Sequence, residues 1–176
     1  MSYSNVEKAI IQFQQGDKEA LEVIYNLYKA PLYQFIFRYT NNEQLSIDLV
    51  QDTFEKLQRK SHLYDVEKGK FKTYLYQIAY NTMMTRLRRQ TLFRKLMPIL
   101  ADRQTHYENS DEKITIQTAI RALPEDLRAV VLLTYYHDLT QKEISAILQI
   151  PVGTVKSKLH RALKKLKEEL EVNEVE

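Results

Sequence analysis

Apolar residues along this chain recur at three- and four-residue steps with no long strict alternation, and the pattern predicts helices from end to end. In "VEKAIIQFQ" (6–14), Val6, Ile10 and Phe13 share a face, and Gly16 closes the segment. Asp17 stands in a capping position ahead of a stripe made by Ala20, Leu21, Ile24, Tyr25, Leu27 and Tyr28. Pro31 interrupts or restarts that helix, and "LYQFIFRYT" continues through Phe35 and Phe37 to a break at "TNNEQ". Asn42 or Ser46 caps the next helix, "IDLVQDTFEKLQR". Its apolar positions Leu45, Leu49, Val50, Phe54 and Leu57 leave Asp48, Gln51, Asp52 and Glu55 on the other side. "SHLYDVEKGKF", with Gly69 between two lysines, reads as a loop. A long helix follows from Lys72 to Leu96, its buried side marked by Leu75, Ile78, Ala79, Thr82 and Leu87.

From Pro98 to Ser110 the helical pattern is lost and polar residues gather, which predicts a flexible linker over 96–112, although "LFRKLMPIL" can also extend the preceding helix. Beyond it, "EKITIQTAIRAL" is one helix. Pro124 takes the first position of the next, with Glu125 and Asp126 in its electropositive first turn. "LRAVVLLTYYH" is almost continuously apolar and is expected to be buried on most sides.

The stretch from Leu139 to Leu166 has the form of a helix–turn–helix. Thr140 and Glu143 make a T-x-x-E capping box. Ile144, Ile147 and Leu148 give a buried edge, and Ala146 is small enough to admit a crossing helix. Pro151 disfavours helix at Ile150, so "QIPVG" is the turn. In the second helix Val155, Leu159, Ala162, Leu163 and Leu166 face inward, while Lys156, Ser157, His160, Arg161 and Lys164 face out. Such a mixture of cationic and hydrogen-bonding side chains near a helix start suits base edges and phosphates. The competing reading is a plain helical hairpin with a basic solvated face. The short turn, the capping box and a basic outer face on the second helix with no acid before Glu168 weigh against it.

Composition adds boundaries. The 176 residues are 44% hydrophobic and 28% charged with 3 Gly and 4 Pro, which fits one or two small helical domains. Net charge is only +3, but five basic residues without an acid lie between Arg86 and Lys95, and six between Lys156 and Lys167. Two separate phosphate-facing surfaces are the functional reading of these blocks; solvated helix faces are the plain one. There is no cysteine, hence neither disulfide nor thiolate metal site. With no apolar run of bilayer length and no signal-peptide pattern at the start, the expected location is cytoplasmic, without membrane insertion. His62, His106, His137 and His160 are scattered, and neither a Gly-rich phosphate loop nor a nucleophile elbow is present. No catalysis, cofactor or metal is therefore expected, and His137 reads as a cap or surface residue.

Taken in order, "GDKEALEVIYNLY" (16–28), "DLVQDTF" (48–54), "GKFKTYLYQIAYN" (69–81), "LPEDLRAVVLLTYY" (123–136) and "TVKSKLHRALKKL" (154–166) make the chain resemble the extracytoplasmic-function sigma factors of bacterial RNA polymerase over residues 5 to 170. The resemblance implies an all-α protein of two small helical domains. Residues 1–95 would bind core polymerase and the promoter's −10 element, and a linker over 96–112 would join them to residues 113–176, which would read the −35 element. It makes the clamp helices of the polymerase the partner of Asp48, Gln51, Asp52 and Glu55, a stripe at i, i+3, i+4 and i+7 suited to a basic helix.

Opening DNA requires stacking platforms and cations. The resemblance assigns −10 binding and melting to Lys70, Phe71, Lys72, Tyr74, Tyr76, Asn81, Thr85, Arg88 and Arg89, with Asn81 lining a pocket for a flipped base. Some of these aromatics must also be core. Tyr74 stands where the family commonly has Trp, and Thr85 where it has Asp or Asn. Duplex contacts at −35 fall to Thr154, Lys156, Ser157, His160, Arg161 and Lys164. Lys156 lacks the planar fork that an arginine would offer to guanine. Family members are commonly held inactive by an anti-sigma partner. The alternative is a free-standing helix–turn–helix regulator with a sensing or dimerising front domain, which would need neither the "DLVQDTF" stripe nor the basic–aromatic segment at 68–89.

Overall fold

The computed structural model describes residues 5–96 and 115–172, and all of its regular elements are helical. The chain opens with α1 (Asn5–Gln14), stopped at Gly16, whose φ of +103° lies in the region that glycine tolerates and side chains avoid. Asp17 then caps α2 (Lys18–Thr40), its Oδ1 accepting from the backbone N–H groups of Glu19 at 2.9 Å and Ala20 at 3.4 Å. Contrary to the sequence expectation, α2 neither breaks nor restarts at Pro31. The proline removes one helical hydrogen bond at a cost of about 3 kcal/mol. Leu32, Phe35, Ile36 and Tyr39 beyond it are all but fully buried and hold the second half of the helix in line with Ile24 in the first. Tyr25 and Leu27, expected in the buried stripe, lie on the exposed side, where Tyr25 covers Phe54 edge-on at 4.9 Å.

Asn41 ends α2 in the left-handed conformation, and Asn42, not Ser46, caps α3 (Glu43–Lys60), accepting from Leu45 N–H at 2.8 Å. Ser46 is buried and donates back to the Asn42 carbonyl. After a short 3₁₀ turn at Ser61–Leu63 comes α4 (Phe71–Leu96). Leu96 is thus the last residue of α4, and the rest of the expected linker lies outside the described residues.

The later helices are α5 (Ile116–Ala122), α6 (Glu125–Tyr135), α7 (Gln141–Leu148) and α8 (Val152–Val172). Pro124 sits one place earlier than expected, as the N-cap of α6, because its ψ of 143° is extended; its carbonyl accepts from Leu127 and Arg128. The capping box of α7 forms in both directions: Glu143 N–H reaches Thr140 Oγ1 at 3.3 Å, and Thr140 N–H donates to Glu143 Oε2 at 2.8 Å. Gln149 turns the chain in the left-handed region, and Ser145 Oγ donates to the Ile150 carbonyl across the turn. On α8, Val155, Ala162 and Leu166 face the core and Leu159 is half-buried, whereas Leu163 stays 42% exposed, one residue off that stripe.

The two sets of helices are not separate bodies. The C-terminal half of α2 lies on α5 and α6, the first half of α4 lies on α7, and the buried side chains form one continuous cluster. His137, expected as a cap or surface residue, is 6% exposed inside this junction. It follows the last turn of α6, so the packing of α6 against α2 and of α7 against α4 carries it inward.

The capping box gives a direct test. Thr140→Ala removes both the hydroxyl acceptor for the Glu143 N–H and the donor to its carboxylate. It is expected to lower stability by about 1 kcal/mol in urea melts, with helix content unchanged.

Candidate nucleic-acid interface and polymerase-facing stripe

Three surfaces carry the residues singled out in the sequence. On α3, Gln51 and Glu55 are exposed and Asp48 and Asp52 half-buried, so the stripe forms one continuous edge. Gln44 donates to Asp48 Oδ1 at 2.9 Å, and Arg59 lies 3.8 Å from Glu55. Beside the stripe run two grooves between α2 and α3, of about 500 and 430 Å³, floored by Leu21, Tyr25, Val50 and Phe54. Acids along an apolar floor suit an amphipathic helix with a basic edge.

The second surface is the start of α4. Here the structure sorts the aromatics. Phe71 is 2% exposed and packs edge-on against Tyr28 and Tyr64, and Tyr76 is fully buried against Phe35. Neither ring presents a face to solvent, so the expectation that they stack on bases does not hold in this arrangement; both lie on the core side of α4. Tyr74 is half-buried, tilted on Tyr64 at 5.4 Å, with its hydroxyl donating to the Lys60 carbonyl at 2.8 Å. It borders a polar cleft of about 360 Å³ shared by Lys56, Lys60, Gln77, Asn81 and Thr85. Asn81 is exposed there, and Thr85 Oγ1 donates to its carbonyl at 2.8 Å. Lys56, which sequence reasoning passed over, reaches across from α3 to Thr82 Oγ1 at 3.1 Å and places its ammonium in the cleft wall. Lys56 breaks the run of acids on α3, which was its only signal. Arg88 and Arg89 lie exposed further along α4.

Lys70 and Lys72 point elsewhere. Lys70 pairs with Glu143 of α7 at 3.1 Å, and Lys72 Nζ donates to the His137 carbonyl at 2.6 Å. Burial alone would raise the Glu143 carboxyl, but the hydrogen bonds from Thr140 and Lys70 leave it below the usual carboxylate value.

The third surface is the outer edge of α8. Lys156, Ser157, His160, Arg161 and Lys164 are exposed and Thr154 half-buried, as the helical spacing predicts. Ser157 Oγ donates to the Thr154 carbonyl at 3.0 Å. Arg161 lies 3.7 Å from Asp126 of α6, so this candidate DNA contact also has an internal partner. The same carboxylate accepts from Lys158, whose side chain is mostly covered. That hydrogen bond, with Arg161 nearby, holds the Asp126 carboxyl below its ordinary value. Lys158 therefore ties α8 to α6, while the neighbouring cations stay outside.

Comparison with known proteins agrees with this layout. Residues 24–93 match the sequence profile of sigma-70 region 2, and residues 113–166 that of sigma-70, region 4. The Bacillus subtilis factor SigW, named as an extracytoplasmic-function RNA polymerase sigma factor, is 31% identical over 94% of this chain and 96% of its own length. This chain is an extracytoplasmic-function sigma factor of the sigma-70 family. The sigma-E factor of Haemophilus influenzae is likewise 31% identical over 92% of this chain and 94% of its own. Two solved structures share the fold at 22% identity. CnrH in complex with the cytosolic domain of CnrY has a TM-score of 0.71 and covers 94% of this chain and 96% of its own. RpoE of Bartonella quintana with the anti-sigma factor NepR has 0.68 and covers 86% and 97%. Among the described residues no helix is long and apolar enough to cross a membrane, and no cluster of His, Asp and Glu could hold a metal ion.

The Asp126 linkage has a definite sign. A carboxyl whose pKa is depressed by folding adds stability above its unfolded value of about 3.9, and that stability is lost as pH falls through the folded value. Asp126→Asn is therefore expected to melt below the wild type at pH 6 to 7. The gap between the two melting temperatures should narrow as pH falls below about 3.9, which thermal melts across that range will show.

Proposed function

We propose that this sigma factor recruits bacterial core RNA polymerase through the α3 stripe, opens and reads the −10 element with the cleft on α4, and reads the −35 duplex with the outer edge of α8. Residues 1–95 form the polymerase- and −10-binding unit, residues 113–176 the −35 unit, and 96–112 the connection. The observation that supports this most is the coincidence of the two sigma-70 regions with the acid-edged groove, the Asn81 cleft and the exposed basic edge. A free-standing regulator has no use for the first two.

In the −10 step, a base turned out of the stack enters the cleft beside Tyr74. The Asn81 amide offers it a donor and an acceptor, and Lys56 adds a charged donor. Arg88 and Arg89 hold phosphates. On the −35 duplex, Arg161 is the forked reader, Lys156 and Lys164 act as point charges, Ser157 and His160 make shorter polar contacts, and Thr154 binds a phosphate. The chemistry of RNA synthesis belongs to the polymerase. The sigma factor has no catalysis, cofactor or metal of its own and works in the cytoplasm. An anti-sigma protein is a further partner, in keeping with the anti-sigma factor NepR named as the partner of RpoE, a structure of like fold.

Run-off transcription with purified core polymerase on fragmented genomic DNA tests the proposal. Discrete transcripts that require this protein support it; duplex binding without polymerase association would transfer the case to the regulator. Asp52→Lys is expected to weaken polymerase binding at least about tenfold, or 1.4 kcal/mol, with the fold intact by circular dichroism. Arg161→Ala is expected to cost about 1–3 kcal/mol of −35 discrimination, read as loss of transcription from a −35-dependent promoter.

A further inference from the structure

Asp126, the second residue of α6, faces two cations of α8 that have different surroundings. Its Oδ2 accepts a hydrogen bond from Lys158 Nζ and lies 3.7 Å from Arg161 Nη2. The two cations are three residues apart, about one turn of α8. The Lys158 side chain is only 18% exposed, whereas that of Arg161 is 62% exposed and belongs to the outer edge. The other outer cations are held differently. Lys164 pairs along its own helix with Glu168 at 3.9 Å, and Lys156 has no ion pair among the described residues. Arg161 is thus the candidate −35 reader whose charged head is restrained from a second helix.

We propose that Asp126 is a positioning residue for −35 recognition: it aims the Arg161 guanidinium and takes up part of its charge, so that this side chain answers to a base edge more than to phosphate. The inference rests on the −35 reading proposed above. Arginine reads a base through two parallel N–H donors, a match that depends on the angle of its plane, whereas attraction to phosphate needs only charge. Nη2 carries two hydrogens, one on each flat edge of the guanidinium. A carboxylate drawn to one of them leaves the second edge whole for a pair of base acceptors. An unrestrained arginine on an open helix edge samples many rotamers, and phosphate oxygens are the commoner acceptors it meets. The carboxylate narrows that sampling. Its negative charge also lowers the gain from a phosphate that arrives without a matching base.

Asp126 can aim another group because it is itself held. Lys158 fixes the carboxylate from α8, and its own backbone N–H adds a hydrogen bond. The first turn of α6 contributes the positive end of a helix. A clamp between α6 and α8 needs only Lys158, which is mostly covered. Arg161 is brought to the same carboxylate although most of its side chain is in water, where such a pair adds little to stability. The effect of the second pair therefore falls on where Arg161 points, not on how firmly the two helices are joined.

The test selects random-sequence duplexes with the full chain bound to core polymerase, and sequencing of the retained DNA gives the base preference at each position. Anisotropy of a labelled random-sequence duplex with the full chain alone, over a range of salt, gives the sequence-independent affinity. Asp126→Asn is expected to lower discrimination at one base position of the −35 element about fivefold and to leave the others unchanged. It should also tighten random-duplex binding about two- to threefold, with a salt slope steeper by up to about 0.9. Asp126→Ser gives a second uncharged side chain and should behave alike, while Asp126→Glu should keep most of the discrimination. In an Arg161→Ala background Asp126→Asn should change no position, because the reader it aims is gone. Equal discrimination in the wild type and both uncharged variants would overturn the proposal. So would a loss that persists in the Arg161→Ala background, or weaker random-duplex binding joined to loss at every position, which marks a helix tie alone. The −35 reading fails separately: if the wild type with core polymerase enriches no −35 element, that reading falls and this inference falls with it.

Discussion

Helix α4 is buried on two sides, and the arrangement of everything else follows from that constraint. Its inner face sends Phe71, Leu75, Ala79 and Met83 into the core made by α1, α2 and α3. Tyr76 and Gln77 meet the rear helices, and Asn81, Thr85, Arg88 and Arg89 are left at the surface. A helix clasped this way cannot shift or rotate without opening a cavity, which costs several kcal/mol when residues of this size lose their contacts. The few exposed side chains on it are therefore held in fixed directions, and that fixity suits them to shape a base-sized cleft.

Charge is distributed by the same logic. The cations nearest the candidate DNA surfaces are not all free: Asp126 holds Lys158 and approaches Arg161, and Glu143 holds Lys70. Exposed pairs of this kind contribute about 0–1 kcal/mol, and salt screens them. A phosphate backbone that releases counterions on binding outcompetes them easily. The internal carboxylates thus keep long basic side chains ordered and solvated until a stronger anion arrives.

Local features were legible in the sequence, because their physics lies within a turn or two of chain. The Asp17 and Asn42 caps, the Thr140–Glu143 box and the outward set on α8 all depend on neighbours three or four residues away. What was not legible depends on distant partners. Pro31 stays inside α2 because Phe35, Ile36 and Tyr39 are buried beyond it, which no local rule weighs. Phe71 and Tyr76 look like Tyr74 in sequence, and only the placement of α2 and of the residues after α6 decides which rings are covered. Lys56 belongs to the cleft through a contact 26 residues away. His137 was misplaced for the same reason: a histidine after a helix normally caps it or meets water, and here Tyr76 and Phe35 enclose it.

The exposed readers also carry unequal weights. Lys156 and Lys164 attract any phosphate or base acceptor within reach, with little angular demand, whereas Arg161 and Asn81 present planar groups that match particular edges. Planar groups discriminate only when their supports are rigid. Asn81 has such a support, since it rises from the doubly buried helix and its carbonyl is tied to Thr85. Arg161 stands on α8 beside Ala162, a fully buried contact with the rear core, and Asp126 restrains its guanidinium. On the proposed reading, sequence selectivity is concentrated in one amide and one guanidinium, each on a well-packed helix, and the surrounding lysines add affinity that is largely indifferent to sequence.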